Sequence, residues 1–201
     1  MKLWVLIPNK ILILALVSVA TLAEPVVPAP EQQVREATDA VIEVLRDPAF
    51  QGEQNRQRRT DVLYEVIHPY FAWEEISRRV LGPNWHQFDT EQQQTFLQLF
   101  PRVLKRTYLD RVEGYEGEQV DYQQTTVENG YARVEVMVLT RQREQISVEY
   151  RMFEYEQQWL VYDVIIEGVS MVGNYRSQFN SMLARQSVDQ VLQTLRERAA
   201  R

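Results

Sequence analysis

Ala132-Arg-Val-Glu-Val-Met-Val138 and Ile146-Ser-Val-Glu-Tyr-Arg-Met152 are two stretches whose even-numbered residues are all apolar or aromatic. Period two is the repeat of a β-strand with one face buried. In the first stretch Ala132, Val134, Val136 and Val138 share one face while Arg133 and Glu135 share the other. Asn129-Gly130 sits just ahead of it and is a two-residue hairpin signal, because a type I′ turn needs positive φ at both central positions. Short turns are expected near Arg143 and Gln157. Four such runs fill the chain from Val120 to Ile166 and predict an antiparallel sheet. The last run, Trp159 to Ile166, is apolar on both faces apart from Asp163, which predicts a strand covered on both sides.

The segments flanking the sheet read as helices. Val34, Ala37, Val41, Val44 and Leu45 fall on one face of a helix from Glu31 to Arg46. Asn55 is positioned to cap a second helix carrying Val62, Leu63, Val66 and Ile67, which Pro69 ends. A third helix spans residues 72–81 and stops at Gly82-Pro83. Thr90 with Gln93 reads as a capping box for a long helix beginning at Glu91, with a kink expected at Pro101. Gly114 and Gly117 close the helical half. Beyond Gly168, helical spacing returns through Tyr175, Phe179, Met182 and Leu183, and Ser187 with Gln190 caps a terminal helix. The fold class is therefore α+β: a helical N-terminal half, then a curved four-stranded antiparallel sheet, then C-terminal helices. Such a cone-shaped, NTF2-like arrangement can enclose an apolar cavity.

Composition removes several classes of function. The chain has 201 residues, no cysteine and two histidines, so it has no thiol nucleophile, disulfide scaffold or Cys-based zinc site. A formal charge of −6 argues against nucleic acid as a partner. Residues 1–23 have the layout of a cleaved signal peptide. Lys2 and Lys10 precede or flank a short apolar run, with cleavage after Ala20 or Ala23. That run is too short to cross a bilayer, which needs about 20 apolar residues. Loss of the two lysines takes the net charge from −6 to −8. Export to the periplasm is expected, with residues 24–30 as a Pro-stiffened leader and residues 31–201 as a single domain.

No G-x-S-x-G, H-E-x-x-H or phosphate-binding Gly-rich loop is present. Asp163 is the one candidate general base; the plainer alternative is that it bonds a neighbouring backbone group or Arg and fixes the strand end. His86, beside Trp85 in a loop, reads as a solvated side chain. The basic clusters Arg56-Arg58-Arg59, Arg78-Arg79 and Arg102-Lys105-Arg106 are either solvated helix faces or docking patches for an acidic partner.

Two blocks narrow the reading. One is Ile76-Ser-Arg-Arg-Val-Leu-Gly-Pro-Asn-Trp85, continuing through Thr90-Glu-Gln-Gln93, Phe96 and Phe100 to Arg106-Thr-Tyr-Leu109. The other is Val161-Tyr-Asp-Val-Ile-Ile-Glu-Gly-Val-Ser-Met-Val172 with Asn174-Tyr-Arg-Ser-Gln-Phe179. Together they resemble the toluene-tolerance family of periplasmic phospholipid-binding proteins, the MlaC-like component of the lipid-asymmetry maintenance system. The resemblance spans about residues 35–197. Pro101 departs from the helix-forming residue expected there. The resemblance implies a soluble, non-enzymatic carrier with no cofactor and phospholipid as cargo, and since a shuttle has no need of an oligomer a monomer is expected. It also implies two protein partners: the lipid-receiving subunit of an inner-membrane ABC transporter and an outer-membrane lipoprotein–porin complex.

On that reading the inward sheet positions Val134, Val136, Val148, Tyr150, Met152, Val164 and Ile166 line the lipid cavity. Val169, Met171 and Val172 join them from the following turn, and Phe71, Ile76, Phe96, Phe100, Tyr108 and Phe179 from the facing helices. Alternation alone does not fix which face of the last strand points inward. A carboxylate placed at Val148 or Val169 is expected to strip the lipid. Two other readings stay open: an enzyme using Asp163 on a similar scaffold, and a lipid-free periplasmic adaptor whose cavity is packed core.

Overall fold

A computed structural model describes residues 29–109 and 117–200. The expected signal peptide, leader residues 24–28 and Gly114 lie outside the described residues. Four helices come first: α1 (Pro30–Arg46), α2 (Arg56–Ile67), α3 (Trp73–Leu81) and α4 (Thr90–Tyr108). The sheet follows as β1 (Gln119–Glu128), β2 (Tyr131–Leu139), β3 (Gln145–Tyr155), β4 (Gln158–Ile166) and β5 (Val169–Ser170), and the chain ends in α5 (Met171–Leu183) and α6 (Val188–Ala200). All five strands pair antiparallel in sequence order. The fifth, two residues long, is one more than expected. None of the described helices is long and apolar enough to cross a membrane.

Local chemistry accounts for most of these boundaries. Asn129 and Gly130 both have positive φ, 51° and 76°, as the predicted β1–β2 turn requires. Gly82 stops α3 at φ 55°. The cap of α4 is one residue earlier than expected. The Asp89 carboxylate accepts from Gln92 N–H at 2.8 Å and the Gln92 side chain accepts from Asp89 N–H at 3.0 Å. An Asp cap adds a negative charge at the positive end of the helix, an advantage the Thr90–Gln93 alternative lacks. α4 then runs on through Pro101 to Tyr108. Asn55 occupies the N-cap position of α2 but makes no side-chain cap; its amide donates to Gln51 O instead. The Ser187–Gln190 box is present.

A register shift in β4 explains its two-sided apolar character. Tyr150 pairs with Val164 and Val148 with Ile166, but Met152 pairs with Val161, so Tyr162 is an extra residue in the ladder. On one side of this bulge Val164 and Ile166 share the inner sheet face; on the other Val161 and Trp159 do. Asp163 and Ile165 turn to the opposite face and are buried, where α3 and α5 cover β4. Over β2 and β3 that outer face stays in solvent, with Glu149 bridging Arg133 and Arg151.

The free edge of β4 is closed three ways, which removes a template for intermolecular pairing. The buried Gln33 amide on α1 accepts from Trp159 N–H at 3.0 Å and donates to the Trp159 carbonyl. Ala72 N–H donates to Val161 O at 2.9 Å. β5 pairs with Ile165 and Ile166.

Three apolar clusters result. The largest joins α3, α4, α5 and α6 around Phe96, Phe100, Tyr175 and Phe179. A second packs Val34 of α1 on Val134, Val136, Met152, Trp159 and Val161 of the sheet. A small third ties α1 to α2 through Val44, Leu45 and Leu63. Phe71 packs against both the first and the second.

Candidate functional site: two apolar compartments and the groove beside them

Where the clusters meet, the interior is not filled. One compartment of about 230 Å³ lies between α1 and the sheet, lined by Val34, Ala37, Thr38, Val41, Met152 and Val161 among others. A second, about 200 Å³, lies between α2, α4 and the sheet, lined by Leu104, Tyr108, Leu109, Val164, Ile166 and Met171 among others. Ile67, Phe71 and Tyr150 belong to the walls of both. The few polar groups are already satisfied or uncharged. Thr38 Oγ1 donates to Val34 O within its own helix, and Gln33 is spent on Trp159. Burial, with a smaller effect from Tyr122, pushes the Tyr150 hydroxyl up to about 12, so it stays neutral at physiological pH.

Of the sixteen residues placed on the cavity from sequence, Phe71, Tyr108, Tyr150, Met152, Val164, Ile166 and Met171 come together on these walls. The rest lie elsewhere. Phe96, Phe100 and Phe179 are solid helical core, with ring centroids 5.2–5.7 Å apart. Ile76 and Val172 belong to the same cluster. Val134, Val136 and Val148 share the inner sheet face but pack within the sheet core. Val169, at the β4–β5 turn, is 61% exposed. The physical reason is that residues 96, 100, 104 and 108 form one i, i+4 stripe along α4 that crosses from one environment into another. Spacing identifies the stripe, but only the neighbours decide that its first half, 96 and 100, meets α5 while its second half, 104 and 108, meets the cavity. α1 adds Val34, Ala37 and Val41, a face whose apolar character is legible in the sequence, although nothing local says that a void lies against it.

Asp163 is a structural carboxylate. It is 4% exposed; Ser170 Oγ donates to one oxygen at 2.6 Å and Val172 N–H to the other at 3.0 Å. Ser170 Oγ in turn accepts from Gly173 N–H at 2.9 Å, so the pair caps α5 and clamps it to β4. Asp163→Ala is expected to cost about 2–3 kcal/mol by stranding these buried donors, measured as a lowered urea midpoint.

The second compartment adjoins a larger groove of about 610 Å³ between α2 and α4, and Tyr64, Trp73 and Lys105 line both. Tyr64, His68 and Trp73 pack edge-on or tilted along it with centroids 5.1–6.2 Å apart, and Trp73 stacks on Phe71 at 5.2 Å. Lys105 lies over the Tyr64 ring at 5.1 Å and pairs with Asp61 at 2.5 Å. That bond to Lys105 holds the Asp61 carboxyl below its usual range. Burial, then Glu65, raises the Tyr64 hydroxyl, while Arg102 acts in the opposite direction. Among the described residues no cluster of His, Cys, Asp and Glu is arranged to hold a metal ion.

The molecule is thus an α+β domain whose sheet and helices wall two apolar compartments, with the buried Asp163 carboxylate used to cap a helix. Residues 35–197 match the MlaC protein family, and the chain belongs to it. It is 20% identical over 207 aligned positions to the intermembrane phospholipid transport system binding protein MlaC of Haemophilus influenzae, covering 100% of this chain and 94% of that one. Its fold is similar to that of a phospholipid-binding protein from Ralstonia solanacearum, solved in complex with a phospholipid. The TM-score is 0.77 at 26% identity, covering 86% of this chain and 98% of that one. Both relatives are named for phospholipid binding or transport and neither for catalysis.

Proposed function

We propose that this protein is a periplasmic phospholipid carrier: exported by a cleaved N-terminal signal, folded as one domain over residues 31–201, and shuttling lipid between membranes as a monomer. The observation that carries this reading is the pair of contiguous apolar compartments walled by Phe71, Ile67 and Tyr150, in a fold similar to that of a protein solved with bound phospholipid. Its protein partners on this reading are the lipid-receiving subunit of an inner-membrane ABC transporter and an outer-membrane lipoprotein–porin complex.

The energetics favour such a compartment. Each CH₂ left in water costs about 0.8 kcal/mol, so two chains of roughly 15 methylenes cost on the order of 25 kcal/mol when carried bare. An apolar lining offsets most of this without any reactive group. Because the chains leave one apolar medium for another, uptake and release are near balance. The overall negative charge keeps the carrier from adhering to anionic leaflets.

The test is transfer of labelled phosphatidylethanolamine between donor and acceptor vesicles. A carrier raises the rate in proportion to protein concentration and returns intact lipid. A rate equal to that without protein favours the adaptor reading, and release of lysolipid or fatty acid favours the enzyme.

A further inference from the structure

The α2–α4 groove has a composition at odds with the rest of the molecule. The chain is net acidic, yet Arg102, Lys105 and Arg106 line this one concavity together with His68. Two anions face the same space: Glu65 lines the groove, and Asp61 is paired with Lys105. Glu65 offsets part of this charge, and the groove keeps a net positive balance with Arg102 and Arg106 outside any ion pair among the described residues. Lys105 and Arg106 in the last turn of α4 also complement its dipole, but that effect fades within one turn and does not account for Arg102.

Position gives the groove a meaning. It shares Tyr64, Trp73 and Lys105 with the second apolar compartment, which places the arginines next to any ligand that leaves the compartment on that side. In a phospholipid the phosphate follows the acyl chains by only the glycerol backbone. Guanidinium groups suit it because they offer paired N–H donors matched to phosphate oxygens. Resting on the carrier reading above, we propose that this groove binds the phosphate of the cargo lipid, with Arg102 and Arg106 as its ligands and the Tyr64–Trp73–Lys105 rim as the boundary between tail and phosphate. Because phosphate is common to all phospholipids, the site selects phospholipid over diacylglycerol while leaving the headgroup alcohol unread.

The experiment loads delipidated full-length mature protein from vesicles containing matched phosphatidylethanolamine, phosphatidylglycerol and diacylglycerol, and measures protein-bound lipid by mass spectrometry. The native protein is expected to enrich phospholipid over diacylglycerol about tenfold, with little discrimination between the two phospholipids. The R102Q/R106Q variant is expected to lose most of that enrichment while taking up diacylglycerol as before, which also shows that it folds. Unchanged enrichment in the variant overturns the proposal. So does arginine-dependent binding of inorganic phosphate that is equal in lipid-free and lipid-loaded protein, since the groove would then serve free phosphate. If the native protein takes up none of the three lipids, it is the carrier reading that fails, and the proposal falls with it.

Discussion

Val164→Glu and Ala37→Trp are each expected to lower bound phospholipid by about tenfold or more while leaving a folded protein. Val164 lines the compartment beneath α2 and α4, and Ala37 lines the one beneath α1. Both are half-buried residues facing a void, so the new side chain enters free space and does not overpack a filled core. Glu places a carboxyl against an apolar wall whose one cation, Lys105, is already paired with Asp61, and Trp takes up much of a space of about 230 Å³ that acyl methylenes would occupy. Far-UV circular dichroism checks the fold, and lipid phosphorus per protein reads the effect. Val169→Glu is the control: that side chain is in solvent, and its substitution is expected to leave bound lipid unchanged. Lipid retained in both cavity variants would mean the tails lie elsewhere.

The second large effect concerns stability. Phe100 is fully buried, stacked on Phe96 at 5.3 Å and set edge-to-face against Tyr175 at 5.1 Å and Phe179 at 5.7 Å. Phe100→Ala removes most of a buried ring and opens a cavity that four helices hold rigidly, at a cost of about 3–5 kcal/mol. With a urea m-value of about 2 kcal/mol/M, the midpoint should fall by roughly 2 M. Phe100 lies outside both compartments, so lipid bound per folded molecule should stay near the native value. A loss of lipid without a loss of stability would return Phe100 to the cavity wall.

These two outcomes divide residues that the sequence placed together, and the division shows what was legible. Alternation through Ala132–Val138 and Ile146–Met152, and the Asn129-Gly130 turn, were enough to define the sheet because period and turn chemistry are local. The β4 bulge was not legible. Its extra residue, Tyr162, shows only as a register shift against β3, yet it puts Val161 and Val164 on one face and turns Asp163 toward α5. The cap of α4 was off by one because Asp89 and Thr90 are both good caps and the choice depends on charge at the helix end. The groove was legible only as scattered basic clusters. Arg102, Lys105 and Arg106 acquire a common space with His68 once α2 lies beside α4, a long-range consequence of packing.

Mass spectrometry of the mature protein, purified without detergent and recorded intact and then after lipid extraction, tests the central claim most directly. A lipid carrier should show an added mass at near one phospholipid per molecule, resolving on extraction into phospholipids of mixed headgroup. A mass matching the bare polypeptide, in a protein of normal stability, would contradict the account and leave the compartments as voids in the core of an adaptor.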